Sequence, residues 1–324
     1  MKPNATTQTI KQSTQRPVLY LGVFYVCIIA VVAILLASPA LSQDRKKTKE
    51  DPKLKPQSIV LKTDDGLALR AFYFPSNKGK EALSVLLVHE WQGQASPYGP
   101  LVVALRDAGC AVIVPDYRGH GGSKEYTDQR GEKQSFNIAQ MGKRDVQNII
   151  LYDLEEAKRF LKKKNDEEEL NLNALVVIGV REGCVLATHW AQRDWSFAPV
   201  GAKKRGQDVK ALVLISPKKV LKGIALDATL SNPAILSLPI QLVAGQGSPE
   251  ESEADRIHKR LESIRKRMNQ GTVEGLKLTI SKASFSGPQL VTNTPDVNPS
   301  IVKFITENVI IDENQDLNPW IKRE

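Results

Sequence analysis

The stretch Leu175-Val-Val-Ile-Gly-Val-Arg-Glu-Gly-Cys-Val-Leu-Ala-Thr-His-Trp190 decides the fold. Leu175 to Val180 is the apolar run of a buried strand, Gly179 and Gly183 bracket a sharp turn, and Cys184 onward continues as a helix. This is the glycine spacing of a nucleophile elbow, in which small residues on both sides let the middle one occupy a strained turn that points into a cleft. The middle residue here is Arg181. A guanidinium stays protonated and has no lone pair with which to attack a carbonyl. The turn is therefore expected without the chemistry it usually serves.

Outward from this turn, apolar strands alternate with amphipathic helices. Ser58 to Lys62 and Leu67 to Phe74 flank a turn at Asp64-Asp65-Gly66 and read as a hairpin. Leu83 to His89 and Cys110 to Pro115 are continuous apolar runs, as strands covered on both faces require, and Leu101 to Ala108 between them is helical. Lys143 to Lys164 carries Val146, Ile149, Ile150, Leu154, Ala157 and Leu161 on one face of a long helix. After the elbow come strands at Val209 to Ile215 and Pro239 to Ala244, a charged helix over Glu250 to Met268, a strand at Leu276 to Ser281 and a helix at Pro299 to Asn308. Such alternation predicts a mostly parallel twisted sheet of about eight strands with helices on both faces. Residues 58–311 form this domain, and 312–324 read as a loosely held polar tail.

The amino-terminal part is of another kind. Residues 1–17 are polar, and Val18 to Ala37 run without a charge, long enough to span a bilayer. Ala40-Leu41-Ser42 also satisfies the small-x-small rule for cleavage, so residues 18–42 are expected to be either a signal peptide for export to the cell envelope or beyond, or a single membrane anchor. Residues 43–57 make a charged linker with Arg45, Lys46, Lys47, Lys49, Lys53 and Lys55, a solvated tether with anionic lipid headgroups as its minor alternative. The formal charge is +9, but residues 1–57 hold nine Lys/Arg against three Asp/Glu, which leaves +3 for the rest. That weakens a nucleic-acid reading, and no nucleic-acid partner is expected. Cys27, Cys110 and Cys184 show no disulfide or metal spacing, and His89, His120, His189 and His258 have no ligand partners at metal spacing. No metal and no cofactor are expected.

With strand, elbow and helix in order, residues from about Ser58 to Asn308 resemble the α/β-hydrolase fold, and within it the compact esterase and dienelactone hydrolase-like members without a large lid domain. His89-Glu90-Trp91-Gln92-Gly93 looks like the family's oxyanion loop, and Pro115-Asp116-Tyr117-Arg118-Gly119-His120-Gly121 resembles its Asp-x-Arg-Gly-His-Gly turn. The resemblance implies a catalytic triad and assigns its positions. The nucleophile position is Arg181, the acid position after the Val243-Ala244-Gly245 strand end is Ser248, and the base position after the last strand is Ser286. Glu90, Trp91 and Glu182 are the oxyanion-loop equivalents. The last histidine of the chain, His258, precedes the final strand, so no imidazole follows it.

Arg181 at a helix N-terminus needs a carboxylate, because the positive end of the dipole disfavours a cation by roughly 0.3–1 kcal/mol. Glu90 is its expected partner, the pair plugging the former oxyanion site; the competing expectation is an Arg181 site for a small anionic ligand. Cys184 is the one thiol near the elbow and the nucleophile of the enzyme alternative, although its position on the helix favours a packed, buried side chain. Arg118 and Asp145 are expected as internal structural polar groups. The expectation as a whole is a catalytically inactive member acting as a binding or scaffold protein, with a small anionic ligand or a protein as partner and the membrane met through the amino-terminal segment. Two alternatives stand beside it: a carboxylic-ester hydrolase using non-standard residues, and a membrane-associated structural protein held by the basic linker.

Overall fold

A computed structural model of the chain describes residues 54–128, 130–201, 203–268 and 273–323. The expectations for residues 1–17 and 18–42, and for the linker as far as residue 53, fall outside these. Among the described residues no helix is long and apolar enough to cross a membrane.

The hairpin forms as expected from β1 (Gln57–Lys62) and β2 (Ala68–Phe74), and its turn is tied by Thr63 Oγ1 donating to Asp65 Oδ1 at 2.6 Å. β3 (Leu83–Val88), α1 (Gly99–Asp107) and β4 (Ala111–Pro115) follow, then a small antiparallel arm of β5 (Glu125–Thr127) and β6 (Lys133–Ser135). The long helix expected over Lys143–Lys164 is present with a defect. α2 (Lys143–Asn148) and α3 (Leu154–Asp166) are separated by a π turn, Ile149–Asp153. The last residue of that turn, Asp153, is fully buried and accepts from the Arg118 backbone N–H at 2.9 Å and from its Nη2 at 2.6 Å. The widened turn thus places a carboxylate under the Arg118 guanidinium, which Asp65 grips from its other side at 2.7 Å.

β7 (Asn171–Val180) leads into α4 (Gly183–Ser196). β8 (Val209–Ile215) is followed by the two-residue strands β9 (Val220–Leu221) and β10 (Ile224–Ala225) and the short helices α5 (Asp227–Leu230) and α6 (Pro233–Leu236). β11 (Ile240–Gly245), α7 (Glu251–Met268), β12 (Leu276–Ser281), α8 (Pro288–Asn293) and α9 (Val297–Asn308) complete the domain. The main sheet has eight strands in the order β1-β2-β4-β3-β7-β8-β11-β12, antiparallel at the β1-β2-β4 edge and parallel from β4 onward.

Alternation along β7 shows how both faces are covered. Ala174, Val176 and Ile178 join the core under α1 and α9, while Leu175 and Val177 join the one under α2, α3, α4 and α7. The chain crosses from β3 to β4 on one side and from β7 onward on the other, so the order reverses between β3 and β7. Such a switch point opens a crevice at the carboxyl ends of the strands. Glu90 and Arg181 both stand at that end.

The reading of residues 312–324 as a loose tail is corrected over the described part. Asn171 Nδ2 donates to Asn318 O at 2.9 Å, Asn173 Nδ2 to Pro319 O at 2.9 Å and Asn165 Nδ2 to Ile321 O at 3.0 Å. Arg323 is buried and paired with Asp208, which also meets Lys158 at 3.0 Å. The tail is a strap under the amino end of β7, and its polar composition misled because buried amides and ions, rather than apolar side chains, hold it.

Candidate functional site

The elbow has the geometry its glycines predict. Arg181 sits at φ +51°, its N–H donating to Ile215 O at 2.8 Å and its carbonyl accepting from Cys184 N at 3.1 Å. A Cβ on Gly179 would stand 2.6 Å from Cys184 Cα, and one on Gly183 2.3 Å from His89 O. Both positions therefore exclude any side chain. A non-glycine residue in the left-handed region costs on the order of 1–3 kcal/mol, and the surrounding sheet and helix impose it on Arg181.

The arginine side chain does not meet Glu90. Its Nη1 donates to Ser286 Oγ at 2.7 Å and lies 3.1 Å from Glu250 Oε1, while Nε is 3.8 Å from Glu182 Oε2. Ser286 Oγ in turn donates to Glu250 Oε2 at 2.6 Å, and Lys218 Nζ closes on Glu250 Oε1 at 2.6 Å. Glu250 is 2% exposed. Burial pushes its carboxyl pKa upward, but Lys218, Ser286 and Arg181 together outweigh burial and hold it below the ordinary value. Gly287 makes room for this arrangement: at φ +57° it lies under the arginine, where a Cβ would come within 2.6 Å of Arg181 Cδ. Its N–H donates to Ser216 Oγ at 2.9 Å.

Two expectations are thereby corrected. The partner of Arg181 is Glu250, because the loop after β11 brings a buried carboxylate over the elbow. The residue assigned to the acid position, Ser248, is buried with its Oγ unpartnered, and Glu250 two residues on is the one that reaches Ser286 and Arg181. Loop length after a strand is not written in the strand, so the strand end alone does not fix the two-residue offset. A carboxylate directly before a helix start, after Ser248-Pro249, was the cue available.

Glu90 is instead turned toward Tyr98, whose hydroxyl donates to its carboxylate. Burial raises the Glu90 pKa, opposed by the Tyr98 hydrogen bond and, more weakly, by the field of Arg181. A Cβ on Gly93 would stand 2.3 Å from Glu90 Oε1, so the glycine of His89-Glu90-Trp91-Gln92-Gly93 makes space for that carboxylate. Trp91 packs edge-on against His120 at 4.5 Å between ring centres, with Lys222 Nζ 5.8 Å from the indole ring centre.

No histidine or thiol side chain is hydrogen-bonded to Arg181, Ser286 or Glu250 among the described residues. His89 is fully buried, stacked on Tyr117 at 4.3 Å, with Nδ1 against Glu90 O at 2.8 Å; His120 is fully buried with Nδ1 against Arg118 O. Burial lowers both pKa values to about 4, so both rings are neutral at pH 7. His189 and His258 lie on α4 and α7. Cys184 is fully buried with Sγ against Gly179 O at 3.2 Å, and burial raises its pKa well above that of a free thiol. Its expected packed role is what the structure shows, and the expectation of Cys184 as a nucleophile is corrected: the sulfur is inside the core. Arg118 is the internal ion-pair residue expected, and Asp145 caps α2 by accepting from Gly142 N at 2.8 Å. Among the described residues no three His, Cys, Asp or Glu side chains form a group able to hold a metal ion.

Comparison with known proteins agrees with this architecture. The profile of a family described as alpha/beta hydrolase fold matches residues 84–259. Uncharacterized proteins from two strains of Mycobacterium tuberculosis are 33% identical over 84 residues, which is 26% of this chain and only 30% of theirs. Among solved structures, an esterase of Pyrococcus furiosus superposes with a TM-score of 0.55 at 15% identity, over 79% of this chain and 92% of that one. An alpha/beta hydrolase from a Penicillium species superposes with a TM-score of 0.51 at 12% identity, over 79% of this chain and 99% of that one.

Proposed function

The chain belongs to the alpha/beta hydrolase fold family, and from that premise we propose that it is a catalytically silent member which binds or scaffolds rather than turning over an acyl substrate. One observation carries this reading: Arg181 at the elbow tip, Ser286 and the carboxylate of Glu250 are joined into a closed network. In an acyl-transferring site those three places hold a nucleophile, a proton carrier and its orienting acid. Here the tip is a permanent cation. The hydroxyl of Ser286 already donates to a carboxylate whose two cationic neighbours make it a poor proton acceptor. The thiol alternative loses support with Cys184 inside the core.

In this reading the guanidinium is a plug. A small anionic ligand would have to displace Glu250 from Arg181 and Lys218, which disfavours the anion-site alternative. The reading also includes membrane targeting or export through residues 18–42, with sequencing of the mature amino terminus as its check. The direct test of silence is hydrolysis of p-nitrophenyl acetate and butyrate by the intact protein. Rates at the blank level, unchanged in Ser286→Ala, are expected; saturable turnover that Ser286→Ala abolishes would overturn the proposal.

A further inference from the structure

Away from the elbow, beside the amino ends of β7 and β8, one carboxylate is gripped by three cations. Asp208 is fully buried. Its Oδ1 pairs with Arg323 and lies 3.2 Å from Lys204 Nζ, and its Oδ2 lies 3.0 Å from Lys158 Nζ. A second buried carboxylate, Asp194, pairs with Lys158 and turns its Oδ2 to the backbone N–H groups of Asp208 and Val209 at 2.7 and 3.1 Å. Lys204 Nζ also donates to Asn173 Oδ1. Lys210, two residues beyond Asp208, donates to Gln207 O at 3.0 Å, and its charge acts on Lys204.

The three cations on Asp208 differ in what they can give up. A guanidinium does not release its proton in a protein. Lys158 holds two carboxylates at once, and their attraction outweighs burial and raises its pKa. Lys204 touches one carboxylate, which two other cations share, and lies in the field of Lys210 as well. It is also the member open to solvent: its side chain is 19% exposed, against 7% for Lys158 and 2% for Arg323. Burial, helped by the fields of Lys210 and Arg323 and opposed by that of Asp208, brings its pKa down to about 8. A lysine that has shed its proton carries the lone pair of a nucleophile, and the neutral amine still has hydrogens for Asn173 and Asp208.

We propose that Lys204 is a modification site, acylated at Nζ by small acyl phosphates. The neutral amine attacks the carbonyl carbon, the bond from that carbon to the phosphate oxygen breaks, and phosphate leaves with the electron pair. The nitrogen passes its extra proton to water. Lys203 and Arg205 on either side are exposed, and their charges favour a donor that is itself an anion. The amide product is uncharged and leaves Asp208 with Arg323 and Lys158 as its counter-ions. The site is independent of the Arg181 network, so the two proposals stand or fall separately.

The test is acetylation of the full-length protein by acetyl phosphate across a pH series, with the occupancy of each lysine read by peptide mass spectrometry. At about pH 7.5 a pKa of about 8 leaves roughly a quarter of the amine neutral, against roughly one part in a thousand for an ordinary lysine. A weaker base is a poorer nucleophile and Lys204 is partly covered. The net advantage expected over the exposed Lys163, Lys259 and Lys303 is therefore about tenfold. The Lys204 rate should level off above about pH 8 while theirs keep rising. Lys210→Gln removes a neighbouring cation and should move that midpoint upward, slowing Lys204 by about threefold at about pH 7.5. With the neutral donor acetyl N-hydroxysuccinimide the advantage should shrink. Labelling of Lys204 no faster than the three exposed lysines, labelling of Lys210 in its place, a midpoint unmoved by Lys210→Gln, or an equal advantage with the neutral ester overturns the proposal. Should Lys210→Gln fail to fold, the pH profile of the parent decides alone.

Discussion

On the proposed reading of a silent site, replacing Arg181 by serine and Ser286 by histidine together should create an acyl-transfer activity there. The reasoning is geometric. Glu250 is already in place, 2.6 Å from the Ser286 hydroxyl, and Lys218 keeps it ionised after the guanidinium is removed. The Arg181→Ser, Ser286→His double variant puts a hydroxyl at the strained tip, an imidazole in the span now bridged by the guanidinium, and an acid behind it. A positioned general base contributes about 10²–10⁴ in rate, so kcat/KM for p-nitrophenyl butyrate should rise by that factor over the parent. At about 1.36 kcal/mol per decade this is roughly 3–5 kcal/mol of transition-state stabilisation. Either single change should stay within about tenfold of the parent, since residues that act as a unit are strongly non-additive. Arg181→Ser leaves no base, and Ser286→His leaves a cation in the attacking seat. Stopped assays with matched circular dichroism spectra and melting temperatures would decide it. A folded double variant no faster than the parent would refute the idea that elbow, β11 loop and β12 loop keep the relative geometry of a triad.

Other consequences are open to simpler measurements. Cys110, whose pKa burial pushes up to about 12, and Cys184 should resist iodoacetamide in the native protein and react fully in 6 M guanidinium, as read by peptide mass spectrometry. His89 and His120 accept protons in the folded state only near pH 4 but near pH 6.5 when unfolded, so stability present above about pH 6.5 is lost as pH falls through that window. The loss is at most about 3 kcal/mol per ring, and His120→Asn should flatten the slope of urea stability between pH 6.5 and 4. Gly183→Ala should abolish soluble folded protein, because its methyl would meet His89 O at 2.3 Å. Ending the chain at Leu317 should lower stability by at least about 3 kcal/mol, since buried amides on Asn165, Asn171 and Asn173 each lose an acceptor. In a domain of this size that is roughly 6–12 °C in melting temperature.

The parts of the molecule legible in the sequence are those where sterics leave no choice. Gly179 and Gly183 announce the elbow because strand, helix and the β3 carbonyls would collide with any side chain there. The apolar runs of β3, β4, β7 and β8 announce a sheet covered on both faces. The Arg181–Glu250–Ser286 network was only partly visible. Its first and last members lie at positions defined by strand ends, but its carboxylate hangs on a loop whose path is set by tertiary packing, with Gly245 pressed against the carbonyls of Ala283 and Phe285. The π turn was hidden for a related reason: Asp153 belongs to an apolar helical pattern by spacing and departs from it because Arg118, distant in sequence, needs a buried partner.

The strap formed by the chain's last residues is held mainly through its carbonyl groups. Three asparagine amides from the start of β7 and the end of α3 recognise the backbone of residues 318, 319 and 321, whatever side chains those residues carry. Asn318, whose Nδ2 donates to Ile310 O at 2.9 Å, Trp320, whose indole N–H donates to Asn165 O and whose ring lies 4.1 Å from Lys80 Nζ, and Arg323 are recognised by side chain as well. The strap should therefore tolerate drift in composition at Ile321, but less so at Asn318, whose φ of +47° and side-chain bond to Ile310 O favour asparagine, while resisting insertions and deletions, so that its length is under tighter constraint than most of its spelling.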